Sequence, residues 1–478
     1  MSIQPSVDSS EWHYKCEGLG NVILGYCGNN PRFVGRVLRV RKCPRSELTS
    51  NKSTMDEMYS KSEGIISRED YLTIYVRDVI GSLFSTCYPN NSGLVDAGET
   101  ISLSREFLRE MKSKIDLVRP TQMLEYKLDF DINADCGMLM RDFTYNRKHT
   151  QKTNSDDATF CVEFKPKWGM ICRSEFIKDE NKPLKYETCR FCCQQLTKLK
   201  QGLITSFTKF CPTNLFSSEE ARVRKAIEDL IQNPQNNMKI YINGELNWFD
   251  DNNIPNRDFK EELISTLTKY HIDNLDTFIK RLIFCILDSN IMECVQRMQM
   301  LDRFDIEFVA KYVYPPLKDK YKSDEVIQAK LFDWKTIPEW IEPLKAELSS
   351  MDNKCKEFIC TLSGFSKDVS LTLENELQAH HPYTNIKPHL KSLDEFVKEC
   401  TIENEEFLWH ILRMYLIAHG IKDCSVMITF NVTRGENQLD HDYDIGVVDL
   451  DPKLVSKVTS YLVQDQDIVT RFMESNTV

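Results

Sequence analysis

"DCSVMITFNV" (residues 423–432) and "IGVVDLDPK" (residues 445–453) are the two stretches that decide our interpretation of the fold. In the first stretch, the positions alternate in character from Cys424 to Val432, which is the period of an extended strand. A polar loop turns the chain back into the second stretch, so the two are predicted to form an antiparallel hairpin. Because a hairpin returns on itself, we expect Asp449 to lie near Asp423.

Two neighbouring aspartates have both a structural and a catalytic interpretation. In the structural interpretation, Asp423 caps a helix or strand and Asp449 forms a turn. In protein-kinase-like folds, the first aspartate of such a pair accepts the proton of the substrate hydroxyl, and the second holds Mg²⁺ against the nucleotide phosphates. The chain contains no H-R-D, D-F-G or A-P-E motif, which argues against a protein kinase in the strict sense.

A third stretch, "CVEFKPKWG" (residues 161–169), places charged residues along an extended chain. With a period of two, Val162 and Phe164 point to one side, and the opposite side carries Glu163, Lys165 and Lys167. Pro166 cannot donate to a ladder, which predicts either an edge strand or a strand that ends there.

The beginning of the chain predicts a glycine-containing turn followed by a hairpin. "CEGLGNVILGY" is followed by a turn and by "FVGRVLRVRK". The second segment is the second strand of the hairpin, and it carries Arg39 where kinases place a cation for the ATP phosphates. An ordinary hairpin is the structural alternative. We predict a smaller nucleotide-binding lobe (residues 1–140), an interlobe connection (141–158) and a larger catalytic lobe (159–478).

Several amphipathic helices are predicted between these motifs. The clearest spans Ser104 to Ile115. A second is predicted from the capping-box spacing of Ser217 and Glu220, and Pro234 ends it. A third is predicted to end at Gly420.

Composition limits the classes of function. The 478 residues carry a formal net charge of −11, which argues against a general nucleic-acid binder. The sequence has no run of eighteen apolar residues and no secretory signal, so we expect an intracellular protein that does not cross a membrane. The 17 cysteines are then expected to be reduced. The C-x-x-C of Cys189 and Cys192 has no second pair at zinc-finger distance, so metal binding is not expected there.

The remaining signal is a set of cations near strand and helix ends. Each is compatible with a solvated surface group, but together they favour a small substrate with many phosphates. Five phosphate monoesters carry roughly −8 to −10 in total, which only a dense cationic pocket can hold against an acidic protein. The set comprises Lys165, Lys167, Arg190, Lys198, Lys239 and Lys453, with Asn236 and Asn237 as neutral donors.

Six segments also resemble successive blocks of a known family, the inositol-pentakisphosphate 2-kinases. They are "VEFKPKWG", "CRFCCQQLTK", "NPQNNMKIYINGEL", "LDRFDIE", "KDCSVMITF" and "VVDLDPK", and "EGLGNVILGY" and "VLRVRK" resemble the family's nucleotide-binding start. The resemblance extends from about residue 11 to about residue 470. It implies a two-lobed α/β fold, distantly like protein kinases, which transfers the γ-phosphate of ATP to the axial 2-hydroxyl of inositol 1,3,4,5,6-pentakisphosphate.

The resemblance also implies residue roles. Asp423 matches the catalytic base, Lys165 assists transfer, and Asp449 matches the Mg²⁺ ligand. Implied nucleotide contacts are Gly18, Gly20, Asn21, Val22, Arg39, Arg141, Asp142, Glu163, Lys239 and Asp449. Implied substrate contacts are Arg119, Lys165, Lys167, Arg190, Lys198, Asn236, Asn237, Lys453, Lys457 and Tyr461.

Some positions depart from the family pattern. Met123 stands where a second arginine is usual after Arg119, and Gln194 stands where histidine is usual. The segment that carries a zinc site in plant members has no cysteine here, so the prediction is no zinc. A kinase for another inositol phosphate and a non-catalytic scaffold that binds inositol phosphates are alternatives. We expect a monomer in the cytoplasm and nucleus, with ATP and Mg²⁺ as cofactors and no requirement for nucleic acid.

Overall fold

The computed structural model describes most of the chain. The described residues are 7–47, 67–89, 93–120, 123, 127–146, 158–250, 257–270, 272, 274–351, 358, 360, 397–432 and 442–475. Within these ranges the protein is mixed α/β, with two antiparallel sheets and many helices. The predicted α/β class is therefore confirmed.

The N-terminal sheet has six strands. They are β1 (Trp12–Glu17), β2 (Asn21–Tyr26), β3 (Arg36–Pro44), β4 (Glu99–Ser102), β5 (Leu128–Phe130) and β6 (Cys136–Arg141). The order is β1-β2-β3-β6-β4, and β5 pairs with β3 beyond the end of β6. The predicted hairpin of β2 and β3 is confirmed, with Ile23 opposite Arg39.

The C-terminal sheet has five strands. They are β7 (Ala158–Phe164), β8 (Met238–Ile242), β9 (Glu245–Trp248), β10 (Ser425–Val432) and β11 (Tyr443–Val448), in the order β11-β10-β7-β8-β9. The predicted hairpin of β10 and β11 is confirmed, with Ser425 opposite Val448. Of the two predictions for β7, the edge strand is wrong, because β10 and β8 pair with its two sides. The alternative, a strand that ends near Pro166, is confirmed, because β7 ends at Phe164.

Helices make up much of the rest of the described chain. In chain order they are α1 (Arg68–Ile74), α2 (Ser82–Cys87), α3 (Arg105–Val118), α4 (Lys182–Lys185), α5 (Arg190–Lys200), α6 (Pro212–Leu215), α7 (Glu220–Gln232), α8 (Phe259–Lys269), α9 (Leu275–Ser289), α10 (Ile291–Gln299), α11 (Asp305–Phe308), α12 (Tyr314–Tyr321), α13 (Asp324–Leu331), α14 (Ile337–Ser350), α15 (Glu405–Ile421) and α16 (Val458–Ser475). Two π-helical turns, Tyr75–Gly81 and Val309–Val313, join α1 to α2 and α11 to α12. None of the helices in the described ranges is both long and apolar enough to cross a bilayer.

Two helix boundaries differ from the sequence predictions. The capping box of Ser217 is wrong, because α7 begins at Glu220 and the Ser217 hydroxyl instead accepts a hydrogen bond from the Glu219 amide at 3.0 Å. Gly420 does not end α15, which continues to Ile421 with Lys422 as its C-cap. Gly420 is not among the glycines with positive φ, so it does not form the left-handed cap that a glycine at a helix end predicts.

Each sheet buries one face in its own apolar cluster. In the N-terminal sheet, Leu24 and Leu38 pack with Phe107 and Met111 of α3. In the C-terminal sheet, Phe160 of β7 lies parallel to Phe430 of β10, with ring centroids 6.1 Å apart, inside the larger cluster. The alternation of β7 therefore directs Phe160, Val162 and Phe164 into the core and leaves Glu163 on the opposite face.

The cysteines are mostly buried, and no disulfide joins any two of them in the described ranges. Cys211 and Cys360 lie beside the C-x-x-C of Cys189 and Cys192 in the folded chain. Neither is at zinc-finger distance in the sequence, and Cys360 is 171 residues from Cys189. The prediction that no metal binds at the C-x-x-C stays a prediction.

Candidate active site

One end of the C-terminal sheet collects the predicted catalytic residues. Ser425 pairs with Val448 and Val426 pairs with Phe164, so Asp423, Asp449 and Lys165 all lie just beyond the same end of three adjacent strands. The next strand contributes Asn237, whose carbonyl accepts a hydrogen bond from the Lys165 amide at 2.9 Å. Strand register alone therefore brings together residues that are far apart in the chain.

Glu163 is the buried carboxylate of this end. Its oxygens accept hydrogen bonds from the Ser425 hydroxyl at 2.8 Å and from the Tyr241 hydroxyl at 3.0 Å, and Lys239 Nζ lies 4.0 Å away. Burial raises the pKa of Glu163, but the charges of Lys239 and Lys165 and the two hydrogen bonds outweigh it, so the pKa lies below its ordinary value. Glu163 is therefore a fixed anion at neutral pH.

Lys165 connects this anion to Asp449. Lys165 Nζ lies 3.6 Å from the Asp449 carboxylate, whose side chain is 61% exposed. Burial lowers the pKa of Lys165, but the charges of Asp449, Glu163 and Asp423 raise it by more. The pKa of Lys165 therefore lies above its ordinary value. Asp449 has a φ of +63°, a left-handed conformation that directs the chain sharply away from β11. An exposed carboxylate is suited to a hard cation such as Mg²⁺.

Asp423 has a different partner. It accepts a hydrogen bond from Lys453 Nζ at 2.5 Å, and its side chain is 50% exposed. Burial raises the pKa of Asp423, but the charges of Lys453 and Lys167 lower it more, so the carboxylate is ionised at neutral pH. Asp423 and Asp449 are therefore each held beside a separate lysine.

Lys167 and Lys198 complete a cluster of like charges. Burial lowers the pKa of Lys167 to about 8, and the neighbouring charges of Lys165, Lys198 and Lys453 act in the same direction, while Asp423 opposes them. Burial likewise lowers the pKa of Lys198, against the attraction of Asp423. Together with Lys165 and Lys453, these lysines form a group of like charges near Asp423, and such a group favours a polyanion.

Two glutamines of α10 form hydrogen bonds with the backbone of the turn that carries Lys167. Gln299 donates to the Lys167 carbonyl at 2.7 Å and accepts from the Gly169 amide at 2.8 Å, and Gln296 donates to the Gly169 carbonyl at 2.7 Å. Lys167 has a φ of +59°, which is strained for a lysine. The sequence prediction of Lys165 and Lys167 on a shared strand face is therefore wrong, because β7 ends at Phe164 and a braced turn presents Lys167.

A wall of rings closes one side of the cluster. Tyr461 lies 4.1 Å from His419 between ring centroids, and the edge of His419 faces Trp168 at 6.3 Å. Burial and the charge of Lys422 lower the pKa of His419 to about 3, so this histidine is neutral. Lys422 in turn forms a buried ion pair of 2.5 Å with Asp302. Sequence analysis named Tyr461 as a substrate contact but missed His419 and Trp168.

The N-terminal sheet approaches the cluster through Arg39. Its guanidinium donates to both carboxylate oxygens of Asp451, two residues after Asp449. In the orientation that satisfies its amide, the Asn21 side-chain oxygen accepts from Arg39 at 2.7 Å. A Cβ placed on Gly18 or Gly20 would meet no atom within 4 Å, so the turn between β1 and β2 borders open space.

Other predicted nucleotide contacts lie in different surroundings. The Arg141 guanidinium pairs with Asp444 and lies 4.5 Å from the Phe143 ring centroid. Asp142 is buried and accepts from Lys15 Nζ at 2.6 Å. The Val22 side chain is fully buried in the N-terminal core, so only its backbone could face a ligand. The structure does not bring these three side chains into the lysine cluster, and their nucleotide roles stay predictions.

Two predicted substrate arginines are already paired with carboxylates. Arg119 is buried and donates to both oxygens of Glu17 at 2.7 Å and to Asp129 at 2.6 Å. Arg190 pairs with Asp465 and lies 5.3 Å from the Trp168 ring centroid. A substrate phosphate would therefore share these guanidinium groups with the carboxylates or replace the carboxylates as partners.

Asn236 and Lys457 are exposed, and Asn237 is buried at the start of β8. Asn236 thus lies next to the backbone that supports Lys165, whereas Lys457 ends the short turn that leads into α16. The interlobe connection predicted for 141–158 falls largely on residues 147–157, which lie outside the described ranges.

Comparison with known proteins identifies the family of the chain. A sequence model of the family described as inositol-pentakisphosphate 2-kinase matches residues 14–467. Among similar proteins, the inositol-pentakisphosphate 2-kinase of Arabidopsis thaliana is 26% identical, and the match covers 97% of this chain and 93% of the relative. The protein of that name from Danio rerio is 25% identical over 98% of this chain and 94% of its own length.

The match of residues 14–467 spans both sheets and all the elements that build the lysine cluster. The chain therefore belongs to the inositol-pentakisphosphate 2-kinase family.

Proposed function

We propose that this protein transfers the γ-phosphate of ATP to the axial 2-hydroxyl of inositol 1,3,4,5,6-pentakisphosphate, giving inositol hexakisphosphate. The observation that carries the proposal is the cluster of Lys165, Lys167, Lys198 and Lys453 around Asp423, with Asp449 3.6 Å from Lys165. A substrate with five phosphates carries roughly −8 to −10 charges, which relieves the mutual repulsion of these lysines. The family of the chain and the names of its relatives support the same substrate.

The catalytic step needs a proton acceptor and stabilisation of charge. Asp423 is placed to accept the proton of the 2-hydroxyl as its oxygen bonds to the γ-phosphorus and the bond to ADP breaks. Lys165 is placed to stabilise the charge of the phosphoryl group, because it lies between the two carboxylates. Lys453 releases its hydrogen bond to Asp423 when it binds a substrate phosphate instead.

The nucleotide would lie between two lobes, as in protein kinases. The two sheets with separate apolar clusters support this arrangement, and so does the open space at Gly18 and Gly20. Arg39 is proposed to contact phosphate, and Glu163 and Lys239 to contact the nucleotide from the C-terminal sheet. Asp449 fits a magnesium ligand, since it is an exposed carboxylate beside a lysine that can also contact phosphate. Mg²⁺ bound there supplies charge neutralisation for the nucleotide phosphates.

A panel of substrates tests the proposal. The protein is incubated with Mg·ATP and individual inositol phosphates, and the products are separated by charge. We expect conversion of inositol 1,3,4,5,6-pentakisphosphate to the hexakisphosphate. A pentakisphosphate already phosphorylated at the 2-position is the matched control and should not react.

Phosphorylation of that control instead would indicate a kinase for another hydroxyl. Binding of pentakisphosphate without turnover would indicate a scaffold. Either result would contradict the proposal. The predictions of a monomer and of a cytoplasmic and nuclear location are independent of this assay.

A further inference from the structure

Four cysteine side chains from three separate parts of the chain meet in the protein interior. Cys189 and Cys192 lie at the start of α5, Cys211 precedes α6, and Cys360 lies beyond α14. Their sulfur atoms all lie within 4.8 Å of one another, and all four residues are buried. The candidate active site uses none of them.

The spacing of the sulfurs matches that of a metal centre. The Sγ atoms of Cys189 and Cys211 are 3.8 Å apart. Four sulfurs bound tetrahedrally to one ion at about 2.3 Å lie about 3.8 Å from each other. The sulfur distances fit a single ion and not a two-iron cluster, whose bridging sulfides would separate the sulfurs further.

Hydrogen-bond donors around the cluster point at sulfur. The Cys192 amide donates to Cys189 Sγ at 3.4 Å, and the Cys189 amide donates to Cys360 Sγ at 3.3 Å. The hydroxyl oxygen of Thr213 lies 3.1 Å from Cys211 Sγ. Such donors stabilise thiolates and orient them, as the outer shell of a metal site does.

We propose that Cys189, Cys192, Cys211 and Cys360 bind one Zn²⁺ in a structural site. Four thiolates in tetrahedral arrangement select Zn²⁺ over the hard cations. With four protein ligands no position remains for water, so the site is closed and not catalytic. Binding releases the thiol protons to solvent, and each sulfur then donates an electron pair to the metal.

The location gives the site a mechanical role. It fixes the beginning of α5, the helix that carries Lys198, to residue 360. The same segment is held by Arg222, which donates to the Phe358 carbonyl at 2.7 Å. A metal there would tie together parts of the chain that no strand or disulfide joins within the described residues.

Metal content tests the proposal directly. The full chain is purified without added metal under reducing conditions, dialysed against EDTA, and analysed for zinc and iron by mass spectrometry. We expect about one zinc per chain. In Cys211→Ser and Cys360→Ser, zinc should fall to a small fraction of the wild-type content.

Cys193→Ser is the matched control. Cys193 is buried and follows Cys192 directly, but it packs with Leu184, Ile468 and Val469 instead of the other sulfurs. This variant should retain its zinc. A wild-type protein with iron or without metal, unchanged zinc in Cys211→Ser, or a disulfide within the group would overturn the proposal.

A second measurement does not depend on the folding of any variant. Wild-type protein is unfolded in chelator and refolded with Co²⁺ in place of zinc. We expect an intense thiolate-to-cobalt absorption in the near ultraviolet and the visible bands of tetrahedral cobalt, both abolished by competing zinc. Octahedral cobalt bands alone would contradict a four-thiolate site.

Discussion

Arg39 of the N-terminal sheet donates to both carboxylate oxygens of Asp451, which follows the C-terminal sheet. The pair joins the strand behind the glycine turn to the segment that carries Asp449. Because a doubly hydrogen-bonded guanidinium is held in one orientation, the Arg39 side chain is already directed at the Asp451 carboxylate before any nucleotide binds. An ATP phosphate would share or replace Asp451 as its partner.

A double-mutant cycle separates the two roles of Arg39. If Arg39 contacts ATP phosphate, Arg39→Met should lower kcat/KM for ATP by about ten- to a hundredfold. Asp451→Asn should have a smaller effect, and the double variant should stay as impaired as Arg39→Met. Steady-state kinetics at varied ATP measures all three. Recovery of kcat/KM in the double variant would show that Arg39 only neutralises Asp451.

Asp423→Asn should separate chemistry from binding. The amide still accepts a hydrogen bond from Lys453 but cannot take a proton, so we expect kcat to fall by about 10²- to 10⁴-fold. Because the Asp423 side chain is 50% exposed, the melting temperature should change little. Calorimetry should show pentakisphosphate affinity equal to or higher than wild type. A variant with more than about a tenth of wild-type kcat would remove Asp423 from the base role.

Lys167→Met and Lys198→Met test the substrate site. Each removes one charge-assisted contact of roughly 1.5–3 kcal/mol, so kcat/KM for pentakisphosphate should fall about ten- to a hundredfold while KM for ATP changes little. Raising the salt concentration should weaken wild-type binding more than variant binding. Lys200→Met is the matched control, because Lys200 is exposed on the same helix as Lys198. Equal results for Lys198→Met and Lys200→Met would mean that Lys198 is only a surface group.

The lowered pKa of Lys167 predicts proton uptake on substrate binding. At pH about 8.5 most Lys167 side chains of the free protein have lost their proton, because the pKa lies at about 8. Phosphate groups raise that pKa again, so binding should take up as much as about one proton. Calorimetry in buffers of different ionisation enthalpy measures this uptake, which Lys167→Met should largely abolish. Equal uptake in both proteins would assign the proton to another group.

The same pKa has a defined effect on stability. The folded protein loses this proton near pH 8 and the unfolded chain near pH 10.5, so the unfolded state binds more protons between these values. The contribution of Lys167 to the free energy of unfolding therefore rises with pH in that interval. Below pH 8, the folded protein retains the full free-energy cost of burying the charged Lys167 side chain. The stability difference between Lys167→Met and wild type should accordingly shrink from pH 8 upward in denaturant titrations.

Gly20→Val should move stability and nucleotide binding in opposite directions. A side chain there meets open space, and removal of a glycine restricts the unfolded chain, so the melting temperature should stay level or rise. If the turn covers ATP phosphates, the added methyl groups should raise KM for ATP by about tenfold or more. Thermal unfolding and ATP kinetics are the two measurements. An unchanged KM would place the nucleotide away from this turn.

The carboxylate pair could be predicted from sequence because it depends on strand register. Alternation over residues 424–432 and 445–448 defines two strands, with Asp423 before the first and Asp449 after the second. An antiparallel hairpin therefore predicts the two aspartates at one end of the sheet, and the structure places both there. The lysines at 165 and 167 were predicted for the site, but their geometry was not. Gln299 and Gln296 shape that turn from a helix more than a hundred residues away, and no local pattern reports such support.

The same limit explains the cysteine cluster. The local motif of Cys189 and Cys192 is visible in sequence, but Cys211 and Cys360 join it only through packing of the larger core. Likewise, a buried partner such as Glu17 for Arg119 cannot be read from composition, since charged side chains are usually solvated. Long-range packing therefore determines both the surroundings of the C-x-x-C and those of the two arginines.

The order of the C-terminal sheet also has a consequence for biosynthesis. β10 fills the place between β7 and β11, yet it is made long after β7, β8 and β9. While the ribosome is still translating the middle of the message, the inner edge of β7 has no neighbour, and a nascent chain must keep that apolar strand from pairing elsewhere. A nonsense codon ahead of position 423 would leave this edge open for good and would remove both aspartates. Truncated products should therefore aggregate, and not merely lose activity.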